Sequence, residues 1–207
     1  MIVIGYGTGR CGTQSLASFL NQQKGFNITH EAIYHSWYQT PEYESTVDKL
    51  LAMKGAVIGD IAYYWIKHLN KLFSTVDNLK VINITRDIDE VIESFWTYNN
   101  SIRMYMVINN KRWFRYPFDD STPSKDSLAN TIRKYKFSED IINKYYGDKI
   151  YHMDMEDLNN INKLHDLLTW LGVDCERNMA IQHVDKKRVF PKNAQIERPI
   201  VDVLGGN

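Results

Sequence analysis

Gly5-Tyr6-Gly7-Thr8-Gly9-Arg10-Cys11-Gly12-Thr13-Gln14-Ser15-Leu16 follows directly on the apolar run Met1-Ile2-Val3-Ile4. Ile2 to Tyr6 reads as a first strand, and the four glycines at its exit permit backbone angles and close approaches that side chains block. Consecutive amides can then point into the mouth of the following helix, whose unpaired N–H groups already favour an anion. Thr13 and Ser15 add hydroxyl donors, and Arg10 adds a fixed fork of donors suited to phosphate or sulfate oxygens. The segment predicts an oxyanion cradle at the end of a strand. The plainer alternative is a glycine-rich turn that binds nothing.

Three better-known patterns compete for the same residues. Gly7-Thr8-Gly9-Arg10-Cys11-Gly12 satisfies the dinucleotide fingerprint G-x-G-x-x-G, and Glu31 stands about 20 residues on, where a ribose-binding acid is sought. An NAD- or FAD-dependent oxidoreductase is therefore a rival reading. Gly7 to Gly12 also has Walker spacing, but Thr13 and Gln14 take the places of the Lys and the Ser or Thr. Ordinary ATP hydrolysis then lacks its phosphate lysine and its magnesium hydroxyl. A tyrosine-phosphatase arrangement around Cys11 fails because Ala17 stands where its Arg belongs, so Cys11 reads as a small loop residue. A nucleotide-phosphate-binding module without turnover is a further alternative.

Outward from this loop, short apolar runs alternate with longer amphipathic segments, the pattern of helices crossing over a parallel sheet. Candidate strands are Met1–Tyr6, Gly25–Thr29, Gly55–Ile58, Leu79–Thr85 and Lys149–Met153. Candidate helices are Gln14–Gln23, Asp89–Tyr98, a long one opened by Pro123-Ser124 and running to Tyr146, and Leu158–Leu171. Gly172 stops the last by allowing a left-handed cap. Between Asn99 and Thr122 the pattern loosens, and Arg112-Trp113-Phe114-Arg115-Tyr116-Pro117-Phe118 reads either as an acceptor wall or as packing on the sheet edge. The tail from Asp185, with Lys186-Lys187-Arg188, is expected over the surface. A single α/β domain over 1–207 is expected, its sheet core reaching to about residue 175 and its tail covering about 176–207.

Composition narrows the function classes. The chain of 207 residues balances 25 Lys plus Arg against 25 Asp plus Glu. That balance argues against a general nucleic-acid or membrane binder while leaving room for a local basic pocket and an anionic small molecule. With 43% hydrophobic residues, a domain of this length buries about 70% of its unfolded surface, which excludes collagen, coiled coil and wholesale disorder. The two cysteines, Cys11 and Cys175, make no disulfide framework. No run approaches the roughly 20 apolar residues that cross a bilayer, and Met1-Ile2-Val3-Ile4-Gly5-Tyr6-Gly7 lacks the pattern of a signal peptide. A cytoplasmic protein without membrane insertion or nucleic-acid partner is the expectation.

The fourth candidate strand, ending Val81-Ile82-Asn83-Ile84-Thr85, runs into Arg86-Asp87-Ile88-Asp89-Glu90-Val91-Ile92-Glu93-Ser94-Phe95-Trp96. Arg86 stands at the carboxyl end of a strand, where open sheets place their ligands. Ser94 follows eight residues on, just over two helical turns, so it can face the same side as Arg86. The pair can hold a second phosphate. Alternatively Arg86 pairs with Asp87, Asp89 or Glu90 on the surface.

Taken together the two segments carry a resemblance. Gly9-Arg10-Cys11-Gly12-Thr13-Gln14-Ser15-Leu16 resembles the 5′-phosphosulfate loop of the sulfotransferase family, and Arg86 to Phe95 resembles its 3′-phosphate motif, including the Arg-to-Ser spacing. Leu167-Leu168-Thr169-Trp170-Leu171-Gly172 is similar to the family's late helix. The resemblance implies a P-loop-like, three-layer α/β/α fold of nucleotide-kinase-like topology, with about five parallel strands and strand one between strands three and four. It implies 3′-phosphoadenosine 5′-phosphosulfate (PAPS) as donor and 3′-phosphoadenosine 5′-phosphate (PAP) as product. Gly9, Arg10, Cys11, Gly12, Thr13, Gln14 and Ser15 would take the 5′-phosphosulfate, and Arg86 and Ser94 the 3′-phosphate. The chain departs from the pattern at Ile88, where a proline is frequent, and at Ser15, where some members carry a large adenine-stacking residue. It shows no clear late glycine-rich cofactor segment, for which Lys186, Lys187 and Arg188 are candidate substitutes.

Sulfuryl transfer needs in-line placement and neutralisation of charge on the oxygens and leaving group. Arg10 is expected to supply that charge, in place of the lysine of many relatives, with no metal in the scheme. The acceptor hydroxyl must lose its proton as sulfur arrives, so a base belongs beside the donor. Family members acting on glycans or protein tyrosines often use a Glu after the second strand, which makes Glu31 the first candidate and His30 the second. The expected acceptor is a glycan, tyrosine or small-molecule hydroxyl. Asp60 reads as a helix cap, or as a ligand of the acceptor. Trp96, Tyr98 and Trp113 read as acceptor wall or as core.

Overall fold

The structure, a computed structural model, describes residues 1–33, 41–97, 124–173 and 184. Strands and helices alternate along the chain: β1 (Ile2–Tyr6), α1 (Thr13–Leu20), β2 (Phe26–His30), α2 (Pro41–Leu51), β3 (Val57–Ile61), a 3-10 turn (Tyr63–Lys67), α3 (Leu69–Thr75), β4 (Leu79–Thr85), α4 (described over 88–97), α5 (Lys125–Tyr146), β5 (Ile150–Asp154) and α6 (Ile161–Trp170). The strands form one five-stranded sheet in the order β2-β3-β1-β4-β5, every pair parallel. β1 therefore lies between β3 and β4, as the resemblance implied. Because all strands run the same way, the segments that follow them gather at one edge of the sheet.

Period-two alternation divides the core between the two faces. Val3, Ile82 and Ile84 pack with Leu16, Phe19 and Leu20 of α1 and with Leu164, Leu167 and Leu168 of α6. Ile4, Tyr6 and Val81 face the other way, against Leu50, Trp65, Leu69, Leu72 and Ile142. Burying each such leucine contributes roughly 1.5–3 kcal/mol. A third cluster joins Val91, Ile92 and Phe95 of α4 to Leu128, Ala129 and Ile132 of α5, with Trp96 packed partly buried against it. That packing fixes α4, and hence Ser94, over the sheet edge. Among the described residues no helix is long and apolar enough to cross a membrane.

Local chemistry sets the boundaries. Ser124 caps α5 by accepting from the Ser127 N–H at 3.1 Å, and Asn160 caps α6 through the N–H groups of Asn162 and Lys163. Gly172 ends α6 with φ 73, the Val173 N–H reaching the Leu168 carbonyl at 3.0 Å and the Gly172 N–H that of Thr169 at 2.9 Å. This is the paired-bond left-handed cap anticipated from the glycine. The third strand differs from expectation, running Val57–Ile61 rather than Gly55–Ile58, so Gly59 and Asp60 lie inside it. The stretches 112–118 and 186–188, with Tyr98 and the tail from Asp185, lie outside the described residues.

Substitution at Gly172 separates backbone strain from packing. A Cβ there meets nothing within 4 Å, so Gly172→Ala should cost about 1 kcal/mol from its left-handed conformation alone. Gly147 is equally open but has φ −57, and Gly147→Ala should be neutral or slightly stabilising. Urea midpoints with unchanged slopes would report both.

Candidate functional site

The loop after β1 leaves the sheet through a narrow gap. A Cβ on Gly7 would stand 2.3 Å from the Ile84 carbonyl oxygen and 2.6 Å from the Cys11 sulfur, so only glycine passes there. Beyond it Gly9, Arg10 and Gly12 have φ of 77, 56 and 91. Such left-handed residues curl the backbone and turn successive amides to one side. Gly12 is the N-cap of α1 with no side-chain capping bond, and the first turn holds no acidic residue. The opening N–H groups of α1 thus have no intrahelical acceptor, and the helix dipole adds partial positive charge. Thr13 is buried at this end, whereas Gln14 and Arg10 are exposed.

The second motif meets the first. Arg10 Nε donates to Ser94 Oγ at 3.2 Å, and an Arg86 Nη donates to the Arg10 carbonyl at 3.1 Å. Arg86 also pairs with Glu90 at 2.9 Å, the surface partner that its sequence neighbourhood offered. Arg10, Arg86 and Ser94 form one cluster where β1 and β4 end.

On the other side of the loop stand the candidate bases. His30 Nε2 and Thr13 Oγ1 are in hydrogen-bonding contact at 3.0 Å, which ties the end of β2 to the start of α1. Glu31 follows in the left-handed region, φ 51, and is open to solvent. The surrounding protein nevertheless raises its carboxyl pKa by desolvation; His30 lowers it, Asp60 raises it and Arg10 lowers it in smaller measure. Tyr63, at the start of the 3-10 turn, is pushed up to about 12 by burial and by the charge of Glu31.

Asp60 departs from its expected role. The 3-10 turn after β3 has Ala62 at its N-cap and no side-chain cap. Asp60 lies fully buried within β3, accepting from Thr29, Tyr64, Trp65 and the Ala32 N–H. Its donors come from separate elements, so no local sequence pattern announces them. Glu139 was likewise missed. It is buried on α5, where Asn83 Nδ2 and Lys136 Nζ each donate to it at 3.2 Å, and burial raises its carboxyl pKa. A glutamate on the inward face of an amphipathic helix is the only signal that could have found it.

Cys11 is buried beneath the loop. Burial pushes its thiol up to about 12, the charge of Glu139 adding to the shift. A thiol held protonated is a poor nucleophile. Among the described residues no three His, Cys, Asp or Glu side chains converge as a metal site.

No protein-family model matches the chain, and no curated protein matches it in sequence. Among solved structures, mouse sulfotransferase SULT7A1 complexed with PAP aligns with a TM-score of 0.58 at 14% identity, covering 89% of this chain. This chain spans 62% of the length of that one. The sulfotransferase domain from the curacin biosynthetic pathway aligns at 0.49 with 15% identity, over 88% of this chain and 77% of that domain. The mouse likeness and the strand order together show the architecture: this chain has the three-layer, P-loop-like α/β/α fold of the sulfotransferases.

In a Cys175→Ser background, iodoacetamide at about pH 8 should modify native Cys11 at least about a hundredfold more slowly than free cysteine. Denaturant should abolish the protection. Alkylation of the native protein at the free-thiol rate would contradict a buried, protonated Cys11.

Proposed function

We propose that the chain is a sulfotransferase that moves a sulfuryl group from PAPS to an acceptor hydroxyl on a glycan, a tyrosine or a small molecule. One observation carries this reading: the Arg10 loop and the Arg86 motif, 76 residues apart, are joined at the carboxyl edge of the sheet. A donor with phosphate at both its 5′ and 3′ positions needs two adjacent anion sites, and these segments supply them. That the mouse protein of the same fold is complexed with PAP supports the choice. The uncapped start of α1 and the left-handed turns at Gly9, Arg10 and Gly12 fit the 5′ group.

In the reaction, the loop amides with Cys11, Thr13, Gln14 and Ser15 hold the 5′-phosphosulfate, and Arg86 and Ser94 hold the 3′-phosphate. Arg10 neutralises charge on the sulfuryl oxygens and on the departing phosphate. The acceptor oxygen forms its bond to sulfur as the bridging bond to the phosphate breaks; the electron pair leaves with PAP. Glu31 takes the hydroxyl proton. His30 ranks second because its Nε2 already meets Thr13. We place the reaction in the cytoplasm, on the scarcity of cysteine, which suits a reducing compartment.

Strand order tells against the oxidoreductase alternative. In the dinucleotide-binding fold, order 3-2-1-4-5-6, the ribose acid ends the strand beside β1. Here β3 occupies that place and β2 lies at the outer edge, moving Glu31 one strand away, about 5 Å in the sheet plane.

Calorimetric titration tests the reading. PAP should bind more tightly than ADP or NAD, and Arg86→Ala should weaken PAP about tenfold to a hundredfold while leaving ADP unchanged. No preference for PAP, or tight NAD binding, would reject the proposal. Because Glu31 must be deprotonated and its pKa is raised, turnover should fall as pH drops through a value above the ordinary carboxylate range. That limb should disappear in Glu31→Gln.

A further inference from the structure

Asp60 has none of its surface exposed. A carboxylate so enclosed persists only where donors replace water, and its two oxygens are served by different parts of the fold. Thr29 Oγ donates to Oδ1 at 2.6 Å and the Ala32 N–H to the same oxygen at 3.4 Å. Tyr64 Oη donates to Oδ2 at 2.6 Å and Trp65 Nε1 at 2.9 Å. Thr29 is the register partner of Asp60 across β2 and β3. Thr29 and Ala32 bracket His30 and Glu31. Glu31 has φ 51, a region that residues with side chains seldom occupy, and its N–H donates to the Ile61 carbonyl at 3.3 Å. The chain is therefore fastened to β3 on both sides of a strained residue, and the fastening point is braced from behind by a tyrosine and a tryptophan.

We propose that Asp60 is a positioning residue for Glu31: its carboxylate clamps the chain at Thr29 and Ala32 and so holds the base in its left-handed conformation within electrostatic reach of Arg10. The inference rests on Glu31 serving as base in the sulfotransferase reading and adds the residue that keeps it in place. Oδ1 restrains the base segment, while Oδ2 anchors the carboxylate to the 3-10 turn. Tyr64 stays a donor throughout, because burial and Asp60 raise its hydroxyl pKa.

The charge of Asp60 acts in the same direction as the desolvation of Glu31 by the surrounding protein. The groups facing Glu31 are His30 from β2, Asp60 from β3, Arg10 from the loop after β1, and Tyr63 and Tyr64 from the 3-10 turn. Asp60 raises the Glu31 carboxyl, so removing its charge must lower it. Asp60→Asn keeps the shape but exchanges one acceptor oxygen for a donor. With the amide oxygen on Tyr64 and Trp65, the amide nitrogen faces the Ala32 N–H, which cannot accept from it. Thr29 can turn its hydroxyl hydrogen to the Gly59 carbonyl at 3.2 Å and accept from the amide, so what Glu31 loses is the Ala32 bond and the charge.

The test follows the Glu31 carboxyl directly, by NMR titration of 13C-labelled glutamates, with the Glu31 signal assigned by its loss in Glu31→Gln. In Asp60→Asn, Glu31 should titrate at lower pH than in the wild-type protein. The Ala32 amide should exchange about tenfold faster, and PAP affinity should stay within about twofold. An unmoved Glu31 titration overturns the proposal; so does faster exchange spread over the whole sheet, which would make Asp60 a structural residue only. Should Asp60→Asn fail to fold, the wild-type Trp65 indole N–H reports on Asp60. Its resonance should step at the pH where Glu31 titrates and lose that step in Glu31→Gln. No step, or the same step in Glu31→Gln, overturns the proposal. Failure of the wild-type protein to bind PAP would strike the donor reading instead, and is told apart because neither NMR readout involves nucleotide.

Discussion

The loop leaving β1 must pass close under the end of β4, and Gly7 makes that passage possible by presenting no side chain to the Ile84 carbonyl. The rest of the candidate site follows from this contact. It lays the loop across the sheet edge, buries Cys11 beneath it and brings the Arg10 carbonyl to Arg86. It also delivers the chain to Gly12, from which α1 starts with its first amides uncapped. A larger residue at Gly7 would part the two segments that the donor is proposed to bridge.

A chain with no net charge still separates charge locally. Arg10 and Arg86 gather where β1 and β4 end, while Glu31 and Asp60 lie where β2 and β3 end. The site thus has a cationic half suited to phosphates and an acidic half suited to taking a proton. The two halves are linked by the Thr13 to His30 contact and by the field of Arg10 on Glu31. Burial acts differently on each buried group: it keeps Cys11 protonated, whereas Asp60 has four donors in place of the water it has lost. The bonds that satisfy this buried charge also tie the chain on both sides of Glu31 to β3.

Much of the architecture was legible because it is written in local pattern. Leu79–Thr85 is an apolar run closed by Arg86-Asp87, and the strand has those bounds. Ser124 and Gly172 mark helix ends through their own backbone chemistry. β3 was displaced because Gly59-Asp60 looks like the end of a strand until Tyr64 and Trp65 are seen to satisfy the carboxylate. α2 is polar on average and α3 is only seven residues long, and neither was anticipated. The contact between Arg10 and Ser94 spans 84 residues, and only the order of the strands reveals it. The same order tells against the dinucleotide reading, which the glycine spacing alone had left open.

The central claim is that one bisphosphorylated nucleotide joins the two motifs, and a crystal structure of the complex with PAP tests it most directly. The 5′-phosphate should lie against the amides of residues 9–15, with the 3′-phosphate on Arg86 and Ser94. Nucleotide bound elsewhere, or a 3′-phosphate that touches neither Arg86 nor Ser94, would contradict the account.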